Sequence, residues 1–169
     1  MEIIVNDTNI FIDLHSIGLL ECFCELPYEI RTVDFVMAEI SNLQQYAEIE
    51  RLANEGKILV ASFTPEELSE IVEEYSNVPG NLSLPDCSVC YYARKHDITL
   101  LTGDRQLRRY AEAGNLTVKG ILFVFDELIA HSVITPHVAA LKLKELYSIN
   151  IRLPKSEIQS RINSWENAL

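Results

Sequence analysis

Short apolar runs alternating with stretches of helical periodicity constrain this chain more than any other feature of its sequence. Glu2–Asn6, with Ile3, Ile4 and Val5 in a row, reads as a short buried strand, and a helical stretch follows from about Thr8 to Cys24. Glu29–Val33 reads as a second strand. Asp34 reads as the N-cap of a helix running, with room for a break, to about Glu55, where Gly56 supplies the stop. Lys57–Phe63 is the next strand. Thr64-Pro65-Glu66-Glu67 then has the form of a capping box with proline in the first turn. Leu68, Ile71, Val72 and Tyr75 recur on one helical face behind it. Asn77–Ser83 is a loop, Leu84–His96 a helix capped by Ser83, and Thr99–Thr102 a strand. Asp104–Ala113 is a helix ended by Gly114, and Leu116–Val118 a last short strand. From Ile121 the pattern is helical only, with starts at Thr135-Pro136 and Pro154-Lys155-Ser156. Strands that alternate with helices imply a parallel sheet covered on both faces, an α/β fold. In such sheets the binding crevice lies at the carboxyl ends of the strands.

The 169 residues suit one domain, alone or with a small appendage, and an apolar share of 48% agrees with a globular core. No apolar run reaches the ~18 residues of a membrane span, which speaks against a membrane partner. The start of the chain lacks the basic segment and small-residue cleavage site of a secretory signal, so the expected location is cytoplasmic. Cys22, Cys24, Cys87 and Cys90 are too sparse for a disulfide scaffold. The net charge of −11 argues against nucleic acid at first sight. Its distribution softens the objection: residues 1–85 hold 16 acids and 3 bases, residues 86–169 hold 9 acids and 11 bases. Arg94, Lys95, Arg105, Arg108 and Arg109 fall close together, as a basic patch or as solvated helix faces.

Four acids stand where a core would not want them. Asp7 directly follows the first strand. Glu39 falls in the series Val36, Ile40, Leu43, Ala47, the expected apolar stripe of its helix. Asp86 precedes Val89, Cys90 and Ala93, and Asp104 leads Leu107 and Ala111. Each has a plain reading: Asp86 and Asp104 as helix N-terminal acids, Glu39 as an edge position, Asp7 as a turn residue. Glu66, Glu70, Glu73 and Glu74, by contrast, flank an apolar face and look solvated. A buried carboxylate costs several kcal/mol unless paired or metal-bound, and carboxylates sharing a cleft raise one another's pKa. A divalent cation resolves that conflict. All-oxygen ligands suit Mg²⁺ or Mn²⁺, and His15, His96, His131 and His137 share no zinc-binding spacing.

Four segments resemble the PIN-domain family of nucleases: Ile4-Val5-Asn6-Asp7-Thr8-Asn9, Asp34-Phe35-Val36-Met37-Ala38-Glu39-Ile40, Leu84-Pro85-Asp86 with Ala93 beyond it, and Leu100-Leu101-Thr102-Gly103-Asp104-Arg105-Gln106-Leu107. The last is the most specific. The resemblance covers about residues 1–125 and leaves 126–169 as a C-terminal helical extension packed on the same domain. It implies a three-layer α/β/α sandwich with a parallel sheet. It also implies divalent-metal-dependent endoribonuclease activity, with Asp7, Glu39, Asp86 and Asp104 as catalytic, metal-holding acids and Asn9 and Thr102 as supporting polar groups. Many prokaryotic members are homodimeric toxins of toxin–antitoxin modules, so an antitoxin protein and a second copy join RNA as expected partners. Some members carry a further acid just after the fourth; here the next is Glu112. The Arg152–Ile158 segment is similar to one in a poorly characterised prokaryotic branch of the family.

Arg105, next to the fourth acid, is a candidate phosphate contact. Cys87-Ser88-Val89-Cys90 opens a helix but lacks the strand that precedes a thioredoxin-type pair, so burial as small apolar residues is expected. A rival, non-enzymatic reading is a catalytically silent PIN-like module whose acidic face docks a basic segment of a partner protein, or which binds RNA without cutting it. Phosphoryl transfer on small molecules is disfavoured, because Asp7-Thr8-Asn9 lacks the second Asp of a haloacid-type phosphatase and Lys57–Phe63 does not end in the Asp of a receiver domain.

Overall fold

The computed structural model describes residues 1–168. Five strands alternate with helices, as the apolar runs require: β1 (Glu2–Asn6), β2 (Tyr28–Val33), β3 (Ile58–Ala61), β4 (Thr99–Leu101) and β5 (Val118–Lys119). All pair in parallel, in the order β3-β2-β1-β4-β5. Ile4 stands opposite Ile30 on one side and Thr99 on the other, and Ile30 stands opposite Ile58. Ile4, Val5, Ile30, Val33, Leu100 and Leu101 are all buried. Parallel strands covered on both faces read as continuous apolar runs for this reason. The fold is the expected three-layer α/β/α sandwich.

Four helices precede β3: α1 (Thr8–Ser16), α2 (Leu20–Cys24), α3 (Asp34–Glu39) and α4 (Leu43–Asn54). The helix expected from Thr8 to Cys24 is divided in two, and the break left open in the next expected helix is present. Gly18 takes φ +70° and divides α1 from α2. The second predicted helix breaks between Ile40 and Asn42, because the Asn42 side chain caps a new helix by accepting from the backbone N–H groups of Gln44 and Gln45. Leu43 is consequently 84% exposed rather than part of an inward stripe. Asp34 is the first residue of α3, with Val33 at the cap position, although its carboxylate does accept from the Phe35 N–H.

The remaining helices are α5 (Pro65–Asn77), α6 (Leu84–His96), α7 (Arg105–Ala113), α8 (Ile121–Ala130), α9 (Pro136–Ile149) and α10 (Lys155–Glu166). Both sides of the Thr64–Glu67 capping box form. On α5 only Ile71 of the predicted face is fully buried, while Val72 and Tyr75 are about half exposed. The helix is anchored instead by polar contacts from its neighbours. Glu70 accepts from Tyr91, and Glu74 from Tyr110 and Arg94, so these acids are less free than their spacing suggested. The C-terminal helices join the core through Ile158 and Ile162 of α10. Trp165 stacks on Phe125 with ring centroids 6.0 Å apart, and the Arg161 guanidinium pairs with Asp126. Among the described residues no helix is long and apolar enough to cross a membrane.

Candidate functional site

The strand order reverses at β1: β2 and β3 lie to one side, β4 and β5 to the other. A doubly wound sheet opens a crevice at the carboxyl ends of the strands flanking such a reversal. Here those ends are Asn6-Asp7 after β1 and Thr102-Gly103-Asp104 after β4. The Asp7 N–H donates to the Leu101 carbonyl at 2.9 Å, so the two strand ends are locked in register.

Asp7 is 3% exposed and caps α1. One carboxylate oxygen accepts from the Thr8 N–H at 2.7 Å, and the other from Thr102 Oγ1 at 2.8 Å and Asn9 Nδ2 at 2.9 Å. Thr102 Oγ1 in turn accepts from the Asp104 N–H at 3.0 Å. The Asn9 side-chain Oδ1 accepts from the Gly103 N–H at 2.7 Å. Asp7, Asn9, Thr102 and the backbone before Asp104 therefore form one hydrogen-bonded network across the crevice. A Cβ at Gly103 would come within 3.3 Å of the Asn9 side-chain Oδ1, so this close approach favours a residue without a side chain.

The other acids enter from helix ends. Asp104 caps α7 through Leu107 N–H, 2.8 Å away. Asp86 closes a capping box at the start of α6: it accepts from the Ser83 N–H at 2.8 Å while Ser83 Oγ accepts from its own N–H. Glu39 corrects the sequence reading of its place. It is the last residue of α3, exposed, and not on an apolar stripe. It still reaches the site, accepting at 2.6 Å from the hydroxyl of Thr8.

Burial pushes the Asp7 carboxyl up from 3.8 to about 7; the Thr102 hydrogen bond opposes this, while Asp86 and Glu39 add to it by repulsion. Asp86 is also raised, first by burial, with Asp104 and Glu39 contributing repulsion. The four acids thus share one field. Among the described residues none of them forms an ion pair. Nor, among those residues, do any three His, Cys, Asp or Glu side chains stand close enough together to hold an ion as they are. Each carboxylate is turned toward its own helix or its polar neighbour.

A family model for the PIN domain matches residues 3–167. The chain belongs to the PIN-domain family. No curated protein matches it by sequence. Among solved structures it is similar to VapC20 of Mycobacterium tuberculosis, described as a toxin that cleaves the sarcin–ricin loop. The TM-score is 0.54 at 15% identity, over 63% of this chain and 94% of that one. It is also similar to PAE2754 of Pyrobaculum aerophilum, with a TM-score of 0.50 at 17% identity, over 77% of this chain and 98% of that one. At such identities the likeness concerns the fold.

Two residues of this PIN domain escaped the sequence reading. Thr8 is buried and holds Glu39, a role that its place beside a strand-end acid could have signalled. Asn6 is fully buried and its Oδ1 is left without a hydrogen-bond partner, in a strand position that its neighbours mark only as apolar. The basic patch is smaller than its sequence density. Arg94 pairs with Glu74, Lys95 with Glu67 and Arg108 with Glu112, whereas Arg105 stays outside any ion pair among the described residues. Cys87 and Cys90 are free and buried, and burial raises their thiols to about 11 and about 12, which disfavours the thiolate that redox chemistry needs.

Proposed function

We propose that this PIN domain is a divalent-metal-dependent endoribonuclease, with Asp7, Glu39, Asp86 and Asp104 holding Mg²⁺ or Mn²⁺ and Asn9 and Thr102 ordering the carboxylates. The observation that carries the reading is Asp7: a nearly inaccessible carboxylate with no cationic partner, raised to about 7 within reach of two further acids. Such a group is expensive to keep unless a cation joins it. The donor set is all oxygen, which fits a hard divalent ion. A bound ion of this kind would supply Lewis acidity toward a phosphodiester oxygen and toward the attacking water.

The chain's own residues do the rest. Thr102 and Asn9 fix both position and orientation of the Asp7 carboxylate, so it cannot turn away. Thr8 tethers Glu39 to the same crevice. Asp104, held by its cap, directly precedes Arg105, whose guanidinium is outside any ion pair among the described residues and open to a phosphate. RNA is the proposed substrate. The proposed setting is cytoplasmic, as the toxin of a toxin–antitoxin pair acting as a homodimer; the family resemblance motivates all three, and the likeness to the toxin VapC20 supports the toxin role alone.

The test is cleavage of single-stranded and structured RNA in Mn²⁺. We predict cleavage by the native chain and at least a hundredfold loss in Asp104→Asn, which removes charge but retains an N-cap side chain of equal quality. No cleavage of any RNA by the native chain would overturn the proposal. One observation favours the rival reading of a silent interaction module: the four carboxylates are not drawn into chelating positions. That reading predicts no response to Mn²⁺ and partner binding that survives Asp86→Asn.

A further inference from the structure

A cleft of about 1020 Å³ lies between α1, the start of α7 and the connection from α9 to α10. Asn9, Gly103 and Asp104 line one end, so it runs directly into the acidic site. The opposite wall is the connection itself, residues 149–154. This wall is tied down. Asn150 donates to both carboxylate oxygens of Asp13, at 3.3 and 3.4 Å, and accepts from the Arg152 N–H at 3.2 Å. Asp13 lies one helical turn beyond Asn9 on α1, so both project from the same helix face. One side of α1 therefore orients Asp7 through Asn9 and anchors the connection through Asp13.

The charges on this cleft are selective. Of the chain's 14 Lys and Arg residues, nine are engaged in ion pairs among the described residues. Of the five left over, Arg105, Arg152 and Lys155 all line the cleft. All three are exposed. In a chain of net charge −11, three unneutralised cations on one cleft, against the two carboxylates of Asp13 and Asp104, favour an anionic occupant. Ile149 and Ile151, 58% and 77% exposed, line the same wall and give it apolar surface. Cations for phosphates and apolar surface for unstacked bases are what a single strand needs.

We propose that the α9–α10 connection forms the second wall of a single-stranded RNA groove leading into the acidic site, with Arg105, Arg152 and Lys155 as its phosphate contacts. The choice of RNA as occupant rests on the ribonuclease reading; the groove itself rests on the cleft, its anchoring and its free cations.

The experiment measures fluorescence anisotropy of a labelled 12-nucleotide single-stranded RNA with the full chain. Every protein carries Asp86→Asn, outside the cleft lining, to prevent turnover. Arg152→Ala/Lys155→Ala is compared with Lys142→Ala/Lys144→Ala, which removes the same charge from paired positions on α9. We expect at least tenfold weaker binding in the first pair and less than twofold change in the second. The slope of log affinity against log salt should fall by roughly 1.4 in the first pair only, each single-strand phosphate contact being worth about 0.7. Arg152 and Lys155 are exposed and outside any ion pair among the described residues, and Lys142 and Lys144 each give up one surface ion pair, so the fold should persist. Equal affinities in the two pairs, or no RNA binding at all, would overturn the groove and leave Ile149 and Ile151 as a protein-facing edge. Cleavage of the same RNA by the chain with native Asp86, in Mn²⁺, reads the nuclease separately. Cleavage with binding indifferent to Arg152 and Lys155 sinks the groove alone; binding through those residues without cleavage sinks the nuclease alone.

Discussion

Thr102 does more for the site than its position in a short strand end suggests. Its hydroxyl donates to Asp7 and accepts from the Asp104 N–H, so one oxygen ties two of the acids to β4. Thr102→Val keeps the shape but removes that oxygen, leaving a buried carboxylate and a backbone N–H each short of a partner. We expect a loss of about 1–3 kcal/mol in urea unfolding, together with weaker Mn²⁺ binding. Thr102→Ser should restore both; an unchanged urea midpoint in Thr102→Val would contradict the bridge. Asp13 carries a pH signature of its own. Burial raises its carboxyl from 3.8 to about 6, against the Asn150 hydrogen bond. Between about pH 4 and pH 6 the unfolded chain has released that proton while the folded chain still holds it. Stability therefore falls as pH rises through this window and levels off above it. Asp13→Asn should flatten this segment of the stability–pH curve by about 3 kcal/mol, a pKa unit being worth about 1.4 kcal/mol. Identical curves for native chain and variant would refute the assignment. At this scale the sequence made Asp7, Asp86 and Asp104 legible because each sits at a strand or helix end. It misplaced Glu39, because the break after α3 depends on Asn42 caps that periodicity does not register.

Elements put the acids where they are through their ends rather than their middles. Asp86 owes its orientation to the capping box that Ser83 completes at the head of α6. The Thr64–Glu67 box of α5 is chemically alike but holds none of the four acids. Ser83→Ala and Thr64→Ala should thus cost similar stability, about 1 kcal/mol each. Only Ser83→Ala should also depress RNA cleavage, severalfold. Equal activities in the two variants would show that Asp86 needs no help from its cap. Most element starts were readable for the same reason: Thr64-Pro65, Ser83 before Leu84-Pro85 and Thr135-Pro136 all cap where local chemistry said they would, while Asp104, read as the first residue of its helix, is the cap before it. Breaks were harder to read. The split at Gly18 needs a left-handed residue inside an otherwise apolar run. Val72 and Tyr75 match the helical period of Ile71 yet lie outside, while Glu70 and Glu74 of α5 bind Tyr91 and Arg94 of α6 and Tyr110 of α7.

At the scale of the whole molecule, the strand order converts distance in sequence into proximity. Asp7 and Asp104 are separated by nearly a hundred residues. They meet because β1 and β4 are neighbours at the reversal of the sheet. The parallel α/β architecture was legible from the alternation of strands and helices. The pairing of β1 with β4 was not legible, since nothing local in either strand encodes its neighbour. The outcome is a set of acids that repel one another and wait, in our account, for a common cation. A Mn²⁺ titration followed by thermal unfolding tests this most directly. For a chain of this size, an ion at about a hundredfold its dissociation constant adds about 2.7 kcal/mol and raises the melting point by roughly 5–10 °C. The account predicts that rise for the native chain and its loss or sharp reduction in each of Asp7→Asn, Glu39→Gln, Asp86→Asn and Asp104→Asn. A rise that survives all four substitutions, or none in the native chain, would contradict it.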